Sequence, residues 1–117
     1  MSRWIKIGGL LGFLGIVLGA FGAHELQTKI NPNMMEVYKT GVFYHLIHSV
    51  VILGIGFYAD SRFNKAALFF MIGIILFSFS LYLLALTSIS WLGIITPFGG
   101  VSFLVGWGLV IYIGFRK

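Results

Sequence analysis

The chain has no cysteine and very little charge. Without cysteine it can form neither a disulfide framework nor a thiolate metal site. Only 9% of its 117 residues are charged, whereas charged residues make up about a quarter of an ordinary soluble domain. So few charged side chains could not cover a soluble fold in which 59% of residues are hydrophobic. The composition therefore predicts an integral membrane protein.

Four long apolar runs are separated by short polar segments. A hydrocarbon core about 30 Å thick needs about 20 helical residues to cross it. Backbone amides in lipid must be paired within their own segment, and the runs lack the alternation of barrel strands. The predicted fold is an all-α integral membrane protein with one four-helix transmembrane domain over residues 1–117, the helices lying at about 5–23, 34–58, 66–86 and 92–115.

Basic residues are unequally divided between the two predicted membrane faces. One face has only Lys29 and Lys39, and the other has Arg3, Lys6, Arg62, Lys65, Arg116 and Lys117. Because basic loops are retained on the cytoplasmic side, both termini are predicted to be cytoplasmic. The net charge of +5 is then a topology signal, and nucleic acid is not an expected partner.

The first run also has features of a secretory signal peptide. Arg3 and Lys6 precede it, and Ala20-Phe21-Gly22 resembles a cleavage site. The run exceeds the usual apolar region of about 7 to 15 residues, however, which favours a retained helix.

Glycines recur in this first predicted helix at intervals that place them on one face: Gly8, Gly12, Gly15, Gly19 and Gly22. Membrane helices associate closely through such faces. The pattern predicts helix packing rather than chemistry. It leaves open whether the packing partner is another helix of this chain or another subunit.

Two prolines mark possible helix starts. Asn31-Pro32 predicts a capping residue and the first residue of the second helix. Thr96-Pro97 has two interpretations: a kink inside the fourth helix, or a helix that starts at Pro97. In the second case the free amides near Gly99 and Gly100 would bind an anion, either the Glu25 carboxylate or an external group such as a lipid phosphate.

Polar residues gather toward the predicted outer half of the helices. Ionisable groups inside a membrane are functional candidates, although they also hold helices together by hydrogen bonds. We predict an outer-side polar pocket for a lipid, small ligand or partner helix, lined by His24, Glu25, Tyr44, His48, Ser78, Tyr82, Thr96, Gly99 and Gly100. The role of His45, three residues before His48, is left open.

Neither a metal site nor an active site has a sequence signature. His24, Glu25, His45 and His48 are suitable ligand types, but their spacing matches no known metal motif. No set of nucleophile, base and charge stabiliser is apparent. We therefore expect no catalytic residue, no metal and no cofactor, and a protein that is not an enzyme.

Several motifs resemble those of the YgdD/YwdK-like family of small four-helix membrane proteins, a family of unknown function from bacterial inner membranes. They are GAFGAH at 19–24, TG at 40–41 with Tyr44 and His48 after it, FSFSLY at 77–82 and TPFGGVSFLVGW at 96–107. The resemblance implies a multi-pass protein of the bacterial cytoplasmic membrane. It does not supply an activity.

Two positions depart from the family pattern. His45 stands where glutamine is common, so a metal site that uses this histidine is not implied by the resemblance. Phe79 stands where many relatives have glycine, which puts a close helix contact at this position in doubt.

The function predicted from these features is that of a non-catalytic membrane scaffold or accessory protein. Its expected partners are membrane lipids and other membrane helices, in a homo-oligomer or a complex. The alternative is a small proton-linked or ion-linked transporter or channel that uses His48 and Glu25. The predicted cytoplasmic half of the helices has no continuous line of polar residues below Ser49 and Ser102, which disfavours this alternative.

Overall fold

Four long antiparallel helices make up the computed structural model, which describes residues 3–116. Each is long and apolar enough to cross a membrane: α1 (Arg3–Leu26), α2 (Pro32–Tyr58), α3 (Ser61–Thr87) and α4 (Leu92–Phe115). The prediction of an all-α fold with four transmembrane helices is confirmed.

The two ends of the bundle differ in charge. Trp4 of α1 hydrogen-bonds Asn64 of α3, and Arg62 and Arg116 line one cleft. This end, which has residues 3–6, 59–65 and 116, is called the basic end. The other, with connections 27–31 and 88–91, is called the loop end.

Local hydrogen bonds set several helix ends. The Asn31 side chain accepts a hydrogen bond from the backbone amide of Met34 at 2.8 Å, with Pro32 at the first helical position, as predicted. Asp60 likewise accepts from the backbone amide of Arg62 at the start of α3. Hydrogen bonds from the Arg62 guanidinium hold the pKa of the Asp60 carboxyl below its usual value.

The fourth helix is continuous through Pro97, because it begins at Leu92 and ends at Phe115. The alternative of a helix that starts at Pro97 is therefore wrong. Gly99 and Gly100 lie inside the helix, so their amides are not those of a helix start. The hypothesis of an anion-binding end at these glycines is wrong for the same reason.

Two short π-helical turns interrupt the α-helical pattern, at Val17–Gly22 in α1 and Ile74–Ser78 in α3. At the end of the first, the Leu18 carbonyl accepts hydrogen bonds from the Ala23 amide and from the Tyr38 hydroxyl of α2. A Cβ on Gly22 would overlap this hydroxyl. Gly22 is therefore needed for the contact that joins α2 to the π-helical turn.

The glycine face of α1 packs on α2 of the same chain. A Cβ on Gly8 would lie 2.7 Å from the backbone nitrogen of Leu53, and one on Gly15 would lie 2.5 Å from Leu46 Cδ2. In order along α1, the five glycines meet Leu53, Ser49, Leu46, Val42 and Tyr38. This answers the question left open by the sequence: the glycine face packs on another helix of this chain.

The α3–α4 contact pairs glycine with phenylalanine. A Cβ on Gly73 would overlap the Phe103 ring, and one on Gly99 would overlap the backbone of α3 at Phe77. The third pair is Gly106 with Phe70, where the Cβ would lie 2.6 Å from the ring. At each of these contacts, one helix has a glycine where the other brings a phenylalanine ring or its backbone. The absence of a side chain at the glycine allows the two backbones to approach closely.

Packing at Gly99 can be tested with Gly108 of the same helix as a control. Gly99→Ala should lower the free energy of unfolding by about 1–3 kcal/mol, because the added methyl meets the α3 backbone. Nothing lies within 4 Å of a Cβ on Gly108, so Gly108→Ala should leave stability unchanged or raise it by less than about 1 kcal/mol. Thermal unfolding in detergent would measure both, and equal effects would contradict the packing described here.

Candidate functional site

His45 connects three helices and is completely buried. Its Nε2 lies 2.8 Å from the Leu11 carbonyl oxygen of α1, and its Nδ1 lies 2.7 Å from the Tyr82 hydroxyl of α3. A carbonyl can only accept, so Nε2 donates and the Tyr82 hydroxyl donates to Nδ1 of the neutral ring. The edge of Phe79 packs on the same imidazole. All the hydrogen-bonding capacity of His45 is therefore used inside the bundle.

His48 connects α2 to α4 in a similar way. Its Nδ1 donates to the Tyr44 carbonyl at 2.7 Å, and its Nε2 accepts from the Trp107 indole N–H at 3.1 Å. The ring also stacks on Phe103 with 3.8 Å between centroids. Because a carbonyl accepts and an indole N–H donates, the neutral ring carries its hydrogen on Nδ1.

Side-chain hydroxyl groups make further contacts between helices. Thr96 Oγ1 of α4 lies 2.6 Å from Ser80 Oγ of α3, and Ser80 in turn donates to the Phe77 carbonyl. Ser102 of α4 donates to the Phe69 carbonyl of α3 at 2.7 Å. Such bonds between membrane helices contribute about 0.6 kcal/mol on average. Thr96 is thus a helix-pairing residue in this structure.

Ser78 is the exception among the polar side chains of residues 3–116. It is fully buried, and its hydroxyl is the one buried side-chain oxygen or nitrogen there without a hydrogen-bond partner. It lies where α3 faces α2, since a Cβ on Gly41 would be 3.1 Å from the Ser78 carbonyl and 2.9 Å from Tyr82 Cε1. Within residues 3–116, Ser78 is therefore the buried site residue whose side chain has an unused hydrogen-bonding group.

His24 and Glu25 are exposed at the loop end of α1. Glu25 pairs with Lys29, 2.6 Å away and one helical turn later, and not with the amides near Gly99. The contacts between α1 and α2 place residue 24 beside residue 37. His48 is eleven residues further along α2, so it lies about 16 Å deeper in the bundle than His24. The structure therefore does not bring His24 and Glu25 together with His48 in one pocket, as the sequence predicted.

The other predicted residues lie at several depths. His48 is close to the middle of the helices, where it stacks on Phe103, and Tyr44 is 38% exposed on the outside of the bundle. Tyr82 and Thr96 are nearer the loop end. The structure thus brings together Gly41 with Ser78 and Tyr82, and Ser80 with Thr96, whereas His24 and Glu25 are exposed.

The arrangement offers little to a metal or a substrate. Residues 3–116 contain no group of three or more histidine, aspartate and glutamate side chains placed to hold a metal ion. Both nitrogens of His45 and of His48 are engaged by protein groups. Neither ring therefore has a nitrogen available to act as a ligand or as a base without first breaking an internal contact.

The sequence belongs to a recognised family. The family model described as "Protein of unknown function (DUF423)" matches residues 18–100. The chain belongs to this family. The UPF0382 membrane protein YwdK of Bacillus subtilis is 40% identical over 95% of this chain and 94% of its own length. The UPF0382 inner membrane protein YgdD of Escherichia coli is 39% identical over 94% of this chain and 88% of its own length.

These comparisons confirm the family resemblance and the localisation predicted from the motifs. The chain is a multi-pass protein of the bacterial cytoplasmic membrane, in a family whose function is unknown. No solved structure matches the chain.

Five residues of these interior polar contacts were missing from the predicted site: Tyr38, His45, Ser80, Ser102 and Trp107. A signal for the first two was present, because Tyr38, Gly41, His45, His48 and Ile52 recur at helical spacing and form the buried face of α2. Tyr44, which the predicted pocket included, lies just beside this face. Trp107 carries no comparable signal, since most of α4 is apolar and its contact face depends on how the other helices pack.

The two buried histidines should have opposite tautomers. Near neutral pH, the spectrum of isotope-labelled histidine nitrogens should show His45 protonated on Nε2 and His48 on Nδ1, because each nitrogen that faces a carbonyl must donate. Exposed His24 provides an internal reference, and Tyr82→Phe should shift the His45 signals alone. The same tautomer for both rings would contradict these contacts.

Proposed function

We propose that this protein is a non-catalytic scaffold or accessory protein of the membrane. One observation carries the proposal: within residues 3–116, Ser78 is the only buried polar side chain without a protein partner. Buried polar groups that are all paired rigidify and specify a bundle. Side chains that perform chemistry must instead be able to meet a substrate.

The alternative of a proton or ion pathway has less support. A path past His48 toward the basic end would have to pass the apolar cluster that contains Ile52, Ala66, Ala67 and Phe70, all of which are completely buried. Glu25, the acid proposed for this path, is exposed and paired with Lys29. Transport is therefore an outcome of the test below and not a second proposal.

The proposed partners are membrane lipids and membrane helices, including a second copy of the chain. The α1 glycine face is already used by α2, so assembly must involve other surfaces of the bundle. We also retain a narrower form of the polar pocket, limited to the vicinity of Ser78 and Tyr82. The unpaired Ser78 hydroxyl supports it, since a buried hydroxyl without a partner is destabilising.

Reconstitution in liposomes tests the scaffold role against transport. We expect no proton, metal-cation or anion flux above that of empty liposomes. Light scattering of the detergent-solubilised protein should give a mass of two or more chains. Flux that His48→Gln abolishes would overturn the scaffold role in favour of transport, and a strict monomer would contradict self-association.

We propose, from the basic residues, that both termini face the cytoplasm. The chain has no cysteine, so single cysteines report topology without background. Ser88→Cys at the loop end should react with a membrane-impermeant maleimide added to intact cells, whereas Ser61→Cys at the basic end should react only after permeabilisation. Both serines are exposed in the bundle. The reverse labelling pattern would contradict the proposed orientation.

A further inference from the structure

A groove runs between α1 and α3 at the basic end, with a volume of about 300 Å³. This is comparable with the smaller ligand sites of proteins. Its rim has two basic side chains, Arg3 and Lys65, and its floor has the apolar side chains Ile7, Leu68 and Met71. We propose that this groove binds one anionic phospholipid, with the phosphate at the rim and the start of an acyl chain on the floor.

The charge of the rim is not neutralised by the protein. The ion pairs among residues 3–116 are Lys29–Glu25 and Arg62–Asp60, and neither involves Arg3 or Lys65. Both basic side chains are exposed at one mouth of the groove. Two adjacent positive charges favour an anionic headgroup over a zwitterionic one.

Two fixed side chains form the wall below this rim. The Trp4 indole N–H donates to Asn64 Oδ1 at 3.1 Å, and the Arg3 guanidinium lies 5.0 Å from the centroid of the Trp4 ring. Asn64 lines the groove, and because its oxygen is engaged by Trp4, its amide NH₂ group is the part of the side chain left to donate a hydrogen bond. The wall therefore adds a neutral donor beside the two cations.

The apolar floor identifies a lipid rather than a free anion as the occupant. Ile7 and Leu68 lie about one helical turn deeper in the membrane than Arg3 and Lys65, and Met71 lies a turn below Leu68. A lipid satisfies both levels at once, with its phosphate at the end of the helices and its acyl chain beside the floor. An inorganic phosphate would leave the apolar floor uncovered.

This inference does not depend on the scaffold role, because it concerns the basic end of the bundle and not the polar contacts of its interior. Native mass spectrometry of the purified full chain in detergent can test it. Phosphatidylglycerol and phosphatidylcholine with identical acyl chains are added in separate titrations, and the dissociation constant of the first bound lipid is compared. We expect phosphatidylglycerol to bind at least tenfold more tightly to the unmodified protein.

The charge pair is tested by Arg3→Gln/Lys65→Gln. Affinity for phosphatidylglycerol should fall by about fivefold for each charge removed, or roughly 25-fold in total. The matched control is Lys6→Gln/Arg116→Gln, which removes the same charge from the same end at positions outside this groove. The control should lose less than about threefold, and thermal unfolding should show that both variants remain folded.

Three results would overturn the proposal. The first is equal affinity of the unmodified protein for the two lipids, which needs no variant. The second is equal loss of affinity in both double variants, since this would indicate general surface charge. The third is stabilisation by inorganic phosphate or glycerol phosphate as large as that by phosphatidylglycerol, because the apolar floor would then contribute nothing.

Discussion

The two hydrogen bonds of His45 are the interaction on which the arrangement of the first three helices depends. The ring belongs to α2, its donor nitrogen is bound to the Leu11 carbonyl of α1, and its acceptor nitrogen is bound to the Tyr82 hydroxyl of α3. In hydrocarbon no water can replace either partner. A displacement of any of the three helices would leave a polar group unpaired, so this one side chain restrains all of them.

Close packing makes these short bonds possible. Gly15 lies opposite His45 and Leu46, where a Cβ would come within 3.3 Å of the imidazole ring, and Gly41 lies against Tyr82. Lipid is as apolar as the helix surfaces, so burial alone gives little preference for helix contact. Small residues provide the preference instead, because they allow many van der Waals contacts and bring the polar partners within reach of each other.

The groups that can serve a function are those without a partner inside the bundle. The ring nitrogens of His45 and His48 and the Thr96 hydroxyl are taken up by hydrogen bonds inside the bundle, whereas the Ser78 hydroxyl and the basic rim at Arg3 and Lys65 are not. A membrane protein that satisfies its interior groups so fully can present a stable surface to lipids and to other helices. This is the basis on which we favour a scaffold over a transporter.

Individual residues show how far sequence reasoning reached. Asn31 was correctly identified as a cap because capping requires only local backbone geometry. His24 and Glu25 were wrongly joined to His48 because sharing one half of the membrane does not define depth, and a difference of eleven residues along the register amounts to about 16 Å. Tyr44 was predicted to line the pocket, but it lies one residue before buried His45, and one residue rotates a side chain by about 100° around the helix.

The sequence by itself determined the membrane environment, the number of helices, the family and the existence of a glycine face, because these follow from composition, run length and local spacing. Only the tertiary structure decided that the glycine face is used within the chain, that Pro97 lies inside a helix, and that His45 and Trp107 hold the bundle together. Those features depend on how helices distant in sequence are rotated and aligned against one another. No local pattern in an apolar helix specifies that rotation.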